Sequence, residues 1–374
     1  MPLRIGVIRG ESGGADATAG GSWTLTSLLS QALKDFPTSH EFISLDDIAA
    51  RYARENDSCA HDDMGTAIAE VRPDIVWFMS PPGFPASTPY ICTVWDLEHR
   101  KQPYFPEVSV TGWTWSAREE AYRSVLPRAS YVITGTEVGK AEIAHFYGVS
   151  TKNIKVIPFP APPDLRSSAT GATPLAQNMH EKGDFLFYPA QYWPHKNHAN
   201  LLKALAILRA EHGVRLNLAL TGSDKGNRDH VRRVVNELGL QEQVFDLGFV
   251  SREELAALYL RAVALVYPSF FGPDNLPPLE AFVLGCPVVA ANVAGAGEQL
   301  GEAALLFDPA DAADLATKIM RVREDGACRQ RLIAQGAAIA AKRNPHAYLA
   351  GLCALLDEFE QIRRCWGECF DEHL

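Results

Sequence analysis

No run of Lys or Arg interrupts the 374-residue chain, whose bases are outnumbered 35 to 45 for a formal charge of -10. No nucleic-acid partner is expected, because phosphate neutralisation by a basic face supplies most of that affinity. Also missing is any uninterrupted apolar stretch near the ~20 residues of a membrane-spanning helix. The opening MPLRIGVIRG turns polar too soon for a secretory signal. A soluble, cytoplasmic protein is expected, with peripheral contact at the inner face of a membrane left open. The seven Cys (59, 92, 286, 328, 353, 365 and 369) form no CxxC pair and sit partly in apolar runs. Reduced thiols fit that scatter better than a disulfide framework or a zinc site. Absence of a short internal period excludes solenoids and propellers. Neither half offers GxGxxG, which argues against a dinucleotide oxidoreductase.

What is present is enough apolar sequence for two ordinary cores, with 47% hydrophobic against 21% charged residues over a length that one core rarely fills. Strands are predicted at RIGVIR, EFISL, DIVWFM, YICTVW, YVITGT and IKVIPF, with helices such as WTLTSLLSQALKDF, DDMGTAIAEVR and GKAEIAHFYG between them. A second alternation runs from DFLFYPA through RLNLALTG, QVFDLGFV, ALVYPS and PVVAANV to ALLFDP. Alternation of this kind means parallel sheets covered on both faces, an α/β class. Composition shifts to Pro, Ala, Ser, Thr and Gly between the halves. Expected are a Rossmann-like domain over 1–165, a linker over 166–183, a second Rossmann-like domain over 184–345 and a helical tail over 346–374.

Ligands of such sheets sit beyond the carboxyl ends of the strands, where loops pass into helix N-termini. Gly20 and Gly21 precede a helical pattern, which suits backbone held close to a phosphate or sugar or simply a flexible turn. In PAQYWPHKNH, Lys196 and Asn197 fall at a strand-to-helix turn, where an ammonium and free amides can hold a diphosphate. The ordinary reading of a lone Lys is a solvated surface group, yet Trp193, His195 and His198 are costly neighbours for a mere loop. No Asp, Glu or Cys near His195 and His198 completes a metal set, so no metal is expected.

Downstream, PSFFGPDNLPPLEAFVLGCPVVA breaks an apolar run and restarts it as a helix carrying Glu280. Pro277 and Pro278 suit a first helical turn, and an acid there is favoured by the helix dipole. A carboxylate at that place also accepts from vicinal ribose hydroxyls. Gly272, Asp274, Asn275 and Leu276 offer amides to a β-phosphate, and Val250 lies in another loop at a strand's carboxyl end. Asp96 and His99 in VWDLEHR are either acid/base or sugar-binding groups, or a turn cap and a salt-bridge partner. For Trp113 and Trp115 with Arg118 and Arg123, core packing outweighs an acceptor-facing surface.

Taken together, PAQYWPHKNH, NLPPLEAFVLGCPVVAANV, GEAALLFDPAD and the closing helical tail resemble the retaining GT-B glycosyltransferases of glycosyltransferase family four, of the bacterial O-antigen, mannosyltransferase-like type. The resemblance spans nearly the whole chain. It implies two Rossmann-like domains facing an interdomain cleft, with closure of the first domain over the donor and the helical tail over 346–374 crossing back to the first domain. The second acid of the family's E-x7-E motif, which holds the ribose, carries onto Glu280. The first lands on Gly272, so its contact to the donor sugar is absent or supplied by Asp274. The family's paired Arg and Lys on the diphosphate correspond to Gln191 and Lys196. Where the family often has a His before the Asp of the first-domain loop, this chain has Trp95, and His99 is the candidate to compensate.

The resemblance implies transfer of a sugar from a nucleotide-diphosphate donor, GDP-mannose or a UDP-sugar, to a saccharide or lipid-linked acceptor in surface polysaccharide or lipopolysaccharide biosynthesis. Retention at the anomeric carbon is expected, with no cofactor beyond the donor as co-substrate. Lys196, Glu280, Asp96 and His99 are the expected catalytic set. Gly20, Gly21, Gln191, Lys196, Asn197, Val250, Gly272, Asp274, Asn275, Leu276 and Glu280 are the expected donor-binding set. A nucleotide-sugar epimerase and a non-catalytic nucleotide-sugar-binding protein are the alternatives.

Overall fold

Six apolar runs of the first half become parallel strands: β1 (Arg4–Ile8), β2 (Glu41–Ser44), β3 (Ile75–Phe78), β4 (Tyr90–Thr93), β5 (Tyr131–Thr134) and β6 (Ile154–Val156). The computed structural model describes residues 2–10, 21–56, 63–111, 113–168 and 173–366. The sheet order is β2-β1-β3-β4-β5-β6. Every residue of β3, β4 and β5 is buried, as expected where helices cover both faces of a parallel sheet. The second half supplies β7 (Phe185–Pro189), β8 (Asn217–Thr221), β9 (Val244–Asp246), β10 (Ala264–Tyr267), β11 (Val288–Ala291) and β12 (Ala304–Phe307). Their order is β12-β11-β10-β7-β8-β9, again all parallel. All twelve predicted strands are present.

The chain divides into two units. The first comprises Met1–Lys101, Trp113–Pro158 and Pro345–Leu374, and the second Gln102–Gly112 and Phe159–Asn344. In the first unit, helix Pro345–Arg363 buries Tyr348, Leu349, Leu352, Leu355, Leu356 and Phe359. Its register is fixed by a hydrogen bond between Asp357 and His40 at 3.0 Å and by ion pairs of Arg363 with Asp74 at 3.0 Å and Glu358 with Lys155 at 2.7 Å.

Two boundaries correct the sequence reading. Residues 166–183 are not a bare connection: helix Pro174–Glu181 forms there and buries Ala176 and Met179 within the second unit. Thr173 caps it by accepting from the Ala176 amide, and Pro174 stands at the first helical position, where its missing N–H costs nothing. The polar composition that suggested a linker is the composition of a helix start. The second correction is residues 102–112, which stand in sequence among the strands of the first unit and pack as part of the second.

In the second unit the chain enters at the centre with β7, adds β8 and β9 on one side, then returns to the other flank of β7 with β10. The strand order reverses between β7 and β10. Loops leaving these two strands at their carboxyl ends therefore diverge and leave a crevice.

Candidate active site

After β7 the chain runs over Gln191 to Trp193 into a 3-10 turn, Pro194–Lys196, and then into helix His198–Glu211. Asn197 joins the turn to the helix at φ 58, the left-handed conformation that Asn tolerates better than most residues. Its side-chain amide donates to the carbonyls of Pro268 at 2.9 Å and Pro309 at 2.8 Å, tying the turn to the segments after β10 and β12. The Tyr188 hydroxyl donates to the Lys196 carbonyl at 2.8 Å. Lys196 is thus carried on a braced turn. Its Nζ donates to Tyr267 Oη at 3.0 Å and has no carboxylate within ion-pair distance among the described residues.

Tyr267 is the last residue of β10, and its hydroxyl donates to Asn275 Oδ1 at 2.9 Å. Asn275 Nδ2 in turn donates to the Gly272 carbonyl. A relay from Lys196 through Tyr267 and Asn275 to Gly272 therefore spans the two loops at the switch point. Gly272 has φ 113, and a Cβ there would stand 2.3 Å from Asn275 Oδ1, so the loop conformation requires glycine. The backbone N–H groups of Gly272, Asp274, Asn275 and Leu276 donate to no described residue. Helix Leu276–Leu284 follows, placing its positive end beside them. Free amides, a helix N-terminus and an ammonium are groups that can hold an anion.

Glu280 lies in the second turn of that helix, not the first as expected, because the helix begins at Leu276. Its Oε2 accepts from Tyr259 Oη at 2.8 Å, while Oε1 takes no partner among the described residues. Burial raises its pKa against the pull of the Tyr259 hydrogen bond.

Beside Lys196, the ring of His195 stacks on Phe271, with centroids 3.8 Å apart. Glu107, from the 102–112 segment, accepts through Oε1 from the His195 backbone N–H at 2.8 Å and from the ring Nδ1. Gln102 of the same segment donates to the Phe270 carbonyl at 2.9 Å, and the Phe105 ring meets Phe270 and Phe271 at 5.6 and 5.5 Å. Burial lowers the His195 imidazole to about 3, with the Lys196 charge adding to the effect and Glu107 opposing it. Burial alone would raise Glu107, but the His195 ring and backbone donors outweigh it and hold the carboxyl below its usual range. A neutral ring beside an ionised carboxylate places the proton on Nδ1.

Several expected site residues take other roles. His99 is fully enclosed in the first unit, with Nε2 3.0 Å from Glu119 and 3.2 Å from Tyr147 Oη and its ring stacked on Tyr122. Burial lowers its pKa against the pull of Glu119. This corrects its assignment as a catalytic group, since an enclosed imidazole at a carboxylate hub is a packing element. That hub, Glu119, also binds Arg100 and Arg123.

The Asp274 side chain corrects the idea that it replaces the missing motif acid. It accepts from the Phe159 amide at 2.8 Å, from Arg343 at 3.2 Å and from Gln299, and burial raises its carboxyl to about 7 against the pull of Arg343. Asn197, as described, is consumed by two carbonyls. Gln191 bridges Ser223 at 3.2 Å and Trp193 Nε1 at 3.0 Å, so its side chain is no substitute for a phosphate-binding Arg. These side chains shape the loops; where they still offer a group to a ligand, it is main-chain.

Asp96 Oδ1 accepts from the Glu98 amide at 3.1 Å, the cap reading, and Oδ2 takes no partner among the described residues. Val250 is half-buried and Gly21 opens helix Gly21–Leu33 on its exposed side. Gly20 lies outside the described residues. Trp113 packs against the core of the first unit beneath Arg118, as the packing reading expects. Tyr267, Glu107 and Tyr259 were missed. A hydroxyl-bearing residue closing the apolar run ALVY could have flagged Tyr267, whereas nothing in the local sequence marks Glu107.

Among the described residues no cluster of three or more His, Cys, Asp or Glu could hold a metal ion, and no helix is long and apolar enough to cross a membrane.

Residues 175–338 match the family model described as glycosyl transferases group 1. The chain is 31% identical over 223 residues to O-antigen chain mannosyltransferase B of Escherichia coli, covering 59% of this chain and 58% of that protein. It spans little more than half the length of the first curated relatives it matches. Among solved structures, sucrose-phosphate synthase from Thermosynechococcus elongatus superposes with a TM-score of 0.72 at 19% identity, covering 96% of this chain and 100% of that one. The Anabaena protein HepE, solved with UDP and glucose, gives 0.67 at 18% identity over 96% of this chain and 100% of its own. The two parallel six-stranded sheets and these superpositions show that the chain has the GT-B fold, and its residues 175–338 are similar to the glycosyl transferases group 1 model.

Proposed function

We propose that the protein is a retaining glycosyltransferase that moves a hexose, mannose foremost, from a nucleotide-diphosphate sugar to a saccharide or lipid-linked acceptor of a surface polysaccharide. The observation that carries this reading is the anion site at the switch point: Lys196 Nζ and four unengaged amides, braced through Tyr267 and Asn275. The similarity to O-antigen chain mannosyltransferase B supports mannose and a polysaccharide product. HepE, solved with UDP and glucose, supports a nucleoside diphosphate as the leaving part of the donor.

In this reading Lys196 and the amides of residues 272–276 meet the negative charge that grows on the β-phosphate as the glycosidic bond breaks. Donors fixed before reaction contribute several kcal/mol to such a step. The leaving phosphate oxygen takes the acceptor hydroxyl's proton on the same face, which gives retention. Glu280 Oε1 accepts from ribose hydroxyls. In the first unit, Asp96 Oδ2 is the candidate to accept from a sugar hydroxyl. With charge neutralised by an ammonium and main-chain dipoles, we propose that no metal is needed.

Thermal shift with GDP-mannose, UDP-glucose and dTDP- and ADP-linked sugars should identify a stabilising donor. Incubating that donor with lipid-linked or free oligosaccharide should yield an axial, retained linkage by NMR of the anomeric proton. Nucleotide release that is independent of any saccharide would instead indicate an epimerase. Stabilisation with no transfer to any acceptor would indicate a binding protein.

A further inference from the structure

The pair formed by Glu107 and His195 has no part in the proposed chemistry, yet it is an expensive arrangement. Glu107 is buried, and while Oε1 holds His195 twice, its Oε2 is enclosed with no partner among the described residues. An unpaired buried acceptor costs about 1–3 kcal/mol, and folds tend to retain such defects where function requires them. The carboxylate fixes both the backbone and the tautomer of His195. With Nδ1–H directed at Glu107, the second ring nitrogen carries a lone pair and no proton. Nε2 takes no partner among the described residues, and the His195 side chain keeps 10% of its surface exposed. The stack on Phe271, one residue before the Gly272 amide, and the bond from the Phe270 amide to the His195 carbonyl at 2.9 Å hold the ring against the anion-binding loop.

A lone pair in that position repels phosphate oxygens and accepts from O–H. On a nucleotide sugar held by its diphosphate at Lys196, the O–H groups next to the β-phosphate are those of the sugar. We propose that His195 Nε2 accepts a hydrogen bond from a hydroxyl of the donor sugar, and that Glu107 is the positioning residue which makes it an acceptor. This rests on the donor reading above and adds to it a residue that distinguishes the sugar nucleotide from the bare nucleoside diphosphate. Glu107 reaches His195 only because residues 102–112 pack in the second unit.

The test uses the full-length protein with GDP-mannose, UDP-glucose, GDP and UDP as probes, and Glu107→Gln, His195→Phe and the double variant. Imidazole 15N NMR of the wild type should show a protonated Nδ1 and a pyridine-type Nε2 on His195, and the Nε2 resonance should move with the sugar nucleotide but not with the matching diphosphate. Each single variant should weaken the sugar nucleotide about tenfold, the worth of one such bond, while the diphosphate stays within about twofold. The double variant should lose no more than either single one, as expected of residues acting as one unit. A protonated Nε2, equal weakening of sugar nucleotide and diphosphate, or losses that multiply in the double variant would overturn the proposal. If neither sugar nucleotide binds the wild type, the donor reading falls with the sugar contact, while the tautomer still decides whether Glu107 positions the ring.

Discussion

Lys196 Nζ stands 3.0 Å from Tyr267 Oη, so the ammonium on one side of the switch point is held by the residue that closes the strand on the other. Because the same hydroxyl donates to Asn275, the cation and the free amides are positioned by one phenol. Tyr267→Phe keeps the ring and removes the bridge. We expect turnover to fall roughly five- to tenfold, in line with one net hydrogen bond, at unchanged thermal stability within a few degrees. Steady-state kinetics with the identified donor checks this, and an unchanged kcat would show that the bridge is incidental.

Restoring the motif acid should fail. Gly272→Glu asks a side chain to occupy φ 113 with its Cβ against Asn275 Oδ1, a backbone cost of roughly 1–3 kcal/mol before the clash is counted. It should also displace Asn275 from Tyr267. The expected outcome is a lower melting temperature and lower activity than wild type. A gain of activity would mean the loop adapts and that the site lacks a carboxylate it could use.

Much of this was legible in the sequence, for a physical reason. Strands such as Phe185–Pro189 and Ala264–Tyr267 lie in a sheet covered on both faces, so they appear as nearly continuous apolar runs, and the turn residues after them mark the loops that carry Lys196 and Asn275. What was not legible depends on contacts distant in sequence. Glu107 lies in a stretch that belongs by order to the first half, and only the packing of residues 102–112 reveals its partner 88 positions away. His99 failed for the converse reason. It follows β4 where a site residue belongs, but the short helix Glu98–Lys101 turns its ring inward to Glu119 and Tyr122. Asp274 stands two residues from the place of the missing motif acid and was the candidate to replace it, whereas the Phe159 amide, Gln299 and Arg343 surround its carboxylate.

His198 provides a pH test. His198 is 1% exposed, both ring nitrogens are enclosed without partners among the described residues, and Tyr192 stacks on it at 4.8 Å. Burial, with the Lys196 charge adding, lowers its pKa from 6.5 to about 3. Between those values the unfolded chain binds a proton that the folded one does not, so the stability contribution present above pH 6.5 is lost as pH falls toward 3. His198→Phe removes that one proton and keeps the stack. Urea unfolding at pH 7.5 and pH 5 should show wild type losing about 2 kcal/mol more than the variant between the two pH values. Equal losses would show that His198 is protonated in the fold.

The most direct test of the account is Lys196→Ala, measured for turnover of the identified nucleotide sugar and for affinity for its nucleoside diphosphate. If Lys196 serves the charge that develops as the diphosphate departs, kcat should fall on the order of a hundredfold or more, while nucleoside diphosphate affinity falls less than about tenfold. Equal losses in turnover and affinity would contradict it, because Lys196 would then merely hold the ground state.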